Sequence, residues 1–296
     1  MQTFPDKFLL PDADGLPILE SQAHTLYKLR QIAFYMEMFN TALKKQNWID
    51  RYYIDLYAGP GKNQIDQQIY LGSPLLALTS VTPFTQYRFN EKDADRNAAL
   101  QQRANASSLN SMVKTYQFDA NEIVKAICEE ITQRDALSKL RNKWPTCNLA
   151  VLDPFGLELE WSTVERLARI RRMDLIINFS TNGLIRNADQ AVNSQQDTIV
   201  DRFFGTRAWR DKYDPSASPT VKRRGWIDFY QERLQHFGYE IKLDPDFGGA
   251  EITVKNKKNA QIYSLIFASK HPLGNTLWKG AAKDANQPRL PGIEPQ

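Results

Sequence analysis

Four acidic residues stand where a strand-like run gives way to a turn. They are Asp55 after Tyr52-Tyr53-Ile54, Glu91 after Tyr87-Arg88-Phe89-Asn90, Asp119 after the run from Met112 to Phe118, and Asp153 after the run from Cys147 to Leu152. Asp55 leads into Leu56-Tyr57-Ala58-Gly59-Pro60-Gly61, a glycine turn that admits close backbone approach. In an open parallel sheet such a turn lies at the carboxyl edge, beside the topological switch point where ligands bind. An acid at the end of the second strand, here Glu91, is placed to take ribose hydroxyls. Asp153 is followed by Pro154-Phe155-Gly156. The proline biases Asp153 toward extended backbone and holds it free at the edge, and Gly156 is expected to take a conformation closed to other residues. A planar substrate would then lie against Phe155. Asn178 leaves the adjacent strand, so a carboxylate and an amide are expected to face one cleft.

The elements that must position these residues follow from periodicity. Strands are expected at the first run, at 87–90, 112–118, 147–152 and 173–179, separated by helices from about Ala94, from Asn121 to about Arg141, and after Trp161, with Ser162 and Glu165 as a capping box. Apolar residues recur at helical spacing from His24 to about Lys45, where His24 and Lys28 read as solvated residues of a helix end. Ser73 before Pro74 reads as a helix opening. The Lys62 to Tyr70 stretch between the glycine turn and that helix is either a lid or a longer loop. Two runs, Ala250 to Val254 and Ile262 to Ala268, flank Lys255-Asn256-Lys257-Lys258-Asn259 as a hairpin. The fold expected is α/β, Rossmann-like and doubly wound: a mostly parallel seven-stranded sheet with a C-terminal antiparallel hairpin, an N-terminal helix and a basic helical insertion. One domain is expected over 21–280, with 182–224 as the insertion, 1–20 as an arm and 281–296 as a tail.

Composition narrows the function classes. The 296 residues carry 38 basic and 34 acidic side chains, a balance that permits an anionic partner without requiring one. Arg207, Arg210, Lys222, Arg223 and Arg224 make the most basic stretch, either a solvated insertion or a phosphate-binding surface. Two cysteines and three scattered histidines make neither a disulfide framework nor a metal site. No run approaches the length of a membrane span and no leader pattern opens the chain, so a reduced, cytoplasmic protein is expected. Gln64 stands where a nicotinamide fingerprint needs its third glycine, which argues against a dehydrogenase.

Taken together these blocks resemble the class I S-adenosylmethionine-dependent methyltransferases, and more closely the bacterial three-Cys-motif partner proteins. The closer resemblance rests on Tyr53 to Gly61, Gly72-Ser73-Pro74-Leu75, Asn90-Glu91-Lys92-Asp93, Leu152 to Gly156, Ile176-Ile177-Asn178-Phe179 and Ile266 to Gly274, in that order. It implies S-adenosylmethionine as cofactor and a partner protein with a radical-enzyme-like cysteine triplet. Asp55, Ala58, Gly59 and Gly61 would meet the amino acid part of the cofactor, Glu91 its ribose, and Lys92, Asp119 and Ala120 its adenine. Asp153, Pro154 and Phe155 would occupy the catalytic loop of amino-group methyltransferases, with Asn178 beside them. Phe155 and Gly156 stand where those enzymes carry a proline and an aromatic residue. This departure, with the basic segment, supports the alternative of a non-catalytic module that binds substrate or nucleic acid for the partner. The resemblance also implies a last strand antiparallel to its neighbours. The Lys270-His271-Pro272 segment is nevertheless expected to return to the edge of Asp153 through a connection that doubles back, where His271 would cluster with His24 and Asp153.

Overall fold

The computed structural model describes residues 14–241, 251–255 and 261–285. The first part of the arm, the centre of the C-terminal hairpin turn and the proline-bearing tail lie outside these residues.

The chain enters through β1 (Leu19–Ser21) and α1 (His24–Leu43), then forms β2 (Arg51–Asp55). The Lys62 to Tyr70 stretch folds as two short strands, β3 (Lys62–Ile65) and β4 (Gln68–Leu71). They are paired antiparallel around a turn in which Asp66 takes φ 54°. β1 runs parallel to β3, so arm and insertion together make a separate three-stranded sheet. α2 (Ser73–Leu78) follows, and its N-cap is Gly72 rather than the expected Ser73.

β5 (Gln86–Asn90), α3 (Ala94–Asn105), β6 (Val113–Tyr116), α4 (Ala120–Ser138) and β7 (Cys147–Leu152) then alternate, as do α5 (Trp161–Ala168) and β8 (Met173–Phe179). α5 begins two residues earlier than its capping box would require: Glu160 is the N-cap, and the Ser162 hydroxyl bonds the Glu160 side chain instead of a backbone amide. The insertion comprises α6 (Thr181–Val192), α7 (Ile199–Phe204) and α8 (Pro219–Gln235). The antiparallel pair β9 (Glu251–Lys255) and β10 (Gln261–Ala268) precedes the closing helix α9 (Pro272–Ala285).

The central sheet has seven strands in the order β6-β5-β2-β7-β8-β10-β9. β6, β5, β2, β7 and β8 are mutually parallel, and β10 inserts antiparallel between β8 and β9. This is a Rossmann-like, doubly wound arrangement. Because successive strand side chains point to opposite faces, each strand feeds two cores. Tyr52, Ile54, Ala150 and Leu152 pack on one face with α4 to α8. Tyr53, Leu149, Val151 and Phe267 pack on the other with α1 to α3 and α9. The order reverses between β2 and β7, which places the switch point at the ends of Asp55 and Leu152.

Candidate functional site

The glycine turn after β2 is held from three directions. Gly59 and Gly61 adopt φ of 60° and 89°, left-handed values that glycine reaches without a Cβ penalty. The Gly72 amide donates to the Gly61 carbonyl at 2.7 Å and the Ala58 amide to the Asn90 carbonyl at 2.9 Å. The buried Asn90 side chain ties neighbouring strand exits together. Its amide donates to the carbonyls of Leu56 and Phe118, and its oxygen accepts from the Phe118 amide, each at 3.1 Å.

Asp55 lies wholly buried under this turn. The Ser73 hydroxyl donates to its Oδ2 at 2.6 Å, and Tyr53 hydroxyl and Tyr57 amide donors stand at 3.4 and 3.3 Å. Burial pushes its carboxyl up to about 7, despite the Ser73 hydrogen bond, with the charge of Asp153 adding to the rise. Asp55 therefore reaches the cavity above it through Ser73, whose hydroxyl is free to do so because Gly72 caps the helix.

That cavity, of about 390 Å³, opens at the carboxyl edge with Ala58, Gly59 and Gly61 on one wall and Asp153, Pro154, Phe155 and Asn178 on the other. The chain runs through Asp153 and Pro154 without entering a helix. Asp153 is not isolated there. The Lys28 ammonium lies 2.8 Å from its Oδ1 and 2.6 Å from its Oδ2, and the Asn178 amide donates to Oδ1 at 2.8 Å. Lys28 is thus no solvated helix-end residue: its side chain is 11% exposed and its ammonium lies 5.4 Å from the Tyr263 ring centre. His24, one turn earlier, also lines the cavity with its ring 5.5 Å from that of Tyr263. Burial, then the Lys28 charge, lowers the His24 pKa, favouring its neutral form. The Asn178 oxygen is buried without a partner, an acceptor left for an N–H or O–H group in the cavity.

Glu91, Lys92, Asp119 and Ala120 stand outside this lining. Glu91 is buried just past β5, where its Oε1 accepts the Asp93 amide at 2.9 Å. The Lys92 ammonium pairs with Asp119 at 2.8 Å, and Asp119 caps α4, accepting the Asn121 amide at 2.9 Å, with Ala120 as the helix's first residue. Tyr57 links the two groups: it lines the cavity, and its raised pKa comes from burial and then from the charge of Asp119. Phe155 is 68% exposed at the mouth, with the Arg96 guanidinium 5.7 Å from its ring centre. Gly156 does not take the expected left-handed backbone. Its amide instead donates to the Glu158 carboxylate at 2.6 Å.

The basic segment is engaged within the fold. Arg207 donates to the Gln195 carbonyl, Arg210 to buried Asp201, Lys222 to the Pro215 carbonyl, Arg223 to the Asn182 side chain, and Arg224 pairs with Asp228. His271 does not return to Asp153 as expected: it lies at the opposite edge of the sheet. Because β10 runs antiparallel to β8, with Ala268 opposite Leu175, the chain leaves β10 where β8 begins, beside Asp174. Among the described residues, no group of three or more potential side-chain ligands could hold a metal ion, and no helix is long and apolar enough to cross a membrane.

No protein-family model matches the chain, and no curated protein matches its sequence. Solved structures do resemble it. The O-methyltransferase TomG from Streptomyces achromogenes, solved with S-adenosylmethionine, is 10% identical over 87% of this chain and 84% of its own, at a TM-score of 0.45. LPL1258 from Legionella pneumophila is 9% identical over 88% and 92%, at 0.44. An O-methyltransferase from Bacillus cereus, solved with S-adenosylhomocysteine, is 10% identical over 86% and 85%, at 0.43.

Proposed function

We propose that the carboxyl-edge cavity binds S-adenosylmethionine and that the protein transfers a methyl group to an amino or hydroxyl acceptor. The observation carrying this reading is the Lys28–Asp153–Asn178 cluster facing a left-handed glycine turn across one cavity. The residues fit the cofactor. A Cβ built on Gly59 would meet nothing nearer than Leu19 at 3.9 Å, so the turn offers bare backbone. Ala58, Gly59 and Gly61, with Asp55 acting through Ser73, would hold the amino acid part. Glu91 keeps one carboxylate oxygen for the ribose, and Lys92, Asp119 and Ala120 form the adenine end.

When bound, the cofactor supplies a methyl group already activated by its sulfonium. The chain's own task is then positioning. The buried Asn178 oxygen accepts a hydrogen bond from the nucleophile, and Asp153 Oδ2, which meets only Lys28, takes the proton. Lys28 holds the carboxylate in place. Phe155 at the mouth offers a face to a planar acceptor. A nucleic-acid acceptor suits the basic segment, which reaches the cavity through Arg223 and Asn182. The resemblance to three-Cys-motif partner proteins extends the proposal to a bacterial, cytoplasmic protein working with a cysteine-triplet, radical-enzyme-like partner.

One observation favours a non-catalytic binding module: the Lys28 ammonium occupies both oxygens of Asp153. Calorimetry with S-adenosylmethionine, followed by transfer of labelled methyl to cell extract, separates the readings. The enzyme reading expects saturable binding, weakened by roughly 1.5–3 kcal/mol in Glu91→Ala, the range for a hydrogen bond to a charged group. It also expects labelling that Asp153→Ala loses. Binding without labelling by the native chain leaves the binding module, and absence of binding removes the cofactor assignment.

A further inference from the structure

A second cavity lies at the other edge of the sheet, where β7 and β8 begin, and takes no part in the proposed reaction. It has a volume of about 570 Å³ and is mostly apolar, with walls that include Tyr35, Phe39, Trp48 and Trp144. Trp48 and Trp144 lie with ring centres 5.6 Å apart, and the Arg172 guanidinium stands 5.9 and 6.0 Å from them. Trp144 is 55% exposed, unusual for an indole with no surface role. At the rim stand Arg171, exposed, and Lys270, which donates to the Ala168 and Ile170 carbonyls. At the floor the Tyr35 hydroxyl donates to Asp174 Oδ2 at 2.6 Å. Gly274 closes the cavity beside this floor, and a Cβ there would collide with Ser269.

Aromatic walls, two arginines and a carboxyl in one lining specify a ligand by its chemistry. Rings stack on indole faces, guanidinium groups bind carboxylate or phosphate, and a carboxylate that accepts from Tyr35 keeps acceptor capacity for a further donor. We infer that this cavity is a second ligand site, for a planar aromatic ring bearing an anionic group, held by Arg171 and Arg172, and an N–H or O–H donor, taken by Asp174. A nucleoside monophosphate and a hydroxylated aromatic carboxylate share that chemistry. The site does not depend on the proposed methyl transfer.

The test is calorimetry on the full chain, with S-adenosylmethionine present throughout so that the carboxyl-edge cavity is not the one measured. The probes are adenosine 5′-monophosphate, 4-hydroxybenzoate, adenosine and decanoate. Saturable binding of either of the first two supports the site and identifies the anion as phosphate or carboxylate. Removing the anion, as in adenosine, is expected to cost at least about tenfold, the loss carried by a charge-assisted hydrogen bond. Arg171→Glu and Trp144→Ala change exposed side chains, so their thermal transitions are expected to match the native one while affinity falls by a similar factor. No binding by either ring anion would overturn the inference, as would unchanged affinity in both folded variants. Tighter binding of decanoate would overturn the ring specificity.

Discussion

At the scale of single residues, the ionisation of Asp55 carries a consequence for stability. Burial raises its carboxyl from 3.8 to about 7, against the Ser73 hydrogen bond, while an unfolded chain releases the same proton near 3.8. Between those values the folded chain holds one more proton than the unfolded chain. Stability must therefore fall as pH rises through this window and level off above it. Asp174, raised to about 6 chiefly by burial, adds a slope of the same sign over the lower part of the window. Asp55→Asn keeps an acceptor for Ser73 and removes the titration. The variant is expected to lose less stability between about pH 4 and 7 than the native chain, by on the order of 4 kcal/mol. Urea midpoints measured across that range check this, and parallel curves for the two proteins would show that Asp55 titrates normally. The same residue shows how far the sequence could be read. Its place at a strand exit was legible from the aromatic run before it and the glycines after it. Its burial was not, because that depends on Ser73, whose role turned on which of two adjacent residues caps α2. Lys28 was illegible for a plainer reason: its partner Asp153 is 125 positions away, and only the packing of α1 across the sheet brings them together.

At the scale of elements, the short sheet of β1, β3 and β4 decides how closed the candidate cavity is, since Leu19, Glu20 and Ser21 form part of its lining. So small a sheet is weak by itself. Arg103, on α3, anchors it. The guanidinium donates to Asp14 at 2.8 and 2.7 Å, to the Pro17 carbonyl at 2.8 Å, and to the Pro60 carbonyl inside the glycine turn. Its hydrogen bond holds the Asp14 carboxyl well below the usual carboxylate range, and Lys62 at the start of β3 pairs with the same acid at 2.7 Å. Alternation and glycine signals could place an insertion between turn and helix, but not choose between lid and loop. That choice rests on pairing between β1 and β3, more than forty residues apart and too short to show a period. Arg103→Ala is expected to cost roughly 2–3 kcal/mol, less than a fully buried pair because Asp14 is partly exposed. It should also speed amide exchange at residues 19–21 while exchange in β7 changes only with global stability. Unchanged protection of β1 would mean that the strand is held by something other than Arg103.

At the scale of the whole molecule, the parallel sheet gives the protein two chemically different edges, and the basic insertion packs on one of its faces. Charge counting alone marks Arg207 to Arg224 as one surface, yet the fold divides these cations. Arg210 is mostly buried against Asp201, donating to Oδ2 at 2.6 Å, while Trp209 donates its indole N–H to Oδ1 at 2.9 Å and Thr198 completes a capping box on the same carboxylate. That carboxylate is 3% exposed, so it depends on its donors. Arg207, by contrast, is an exposed side chain with one carbonyl partner. Arg210→Ala should therefore destabilise the chain by about 3 kcal/mol, because it strips the strongest donor from a buried charge. Arg207→Ala should stay within about 0.5 kcal/mol of native, as surface changes usually do. If the insertion also meets a nucleic-acid backbone, the roles reverse in a binding assay. Arg207→Ala should then weaken binding and flatten its salt dependence, and Arg210→Ala should act only through the unfolded fraction. Thermal melts beside a salt-dependent binding titration read both quantities. Equal melting temperatures for the two variants would place Arg210 on the surface and return the whole segment to a single basic face.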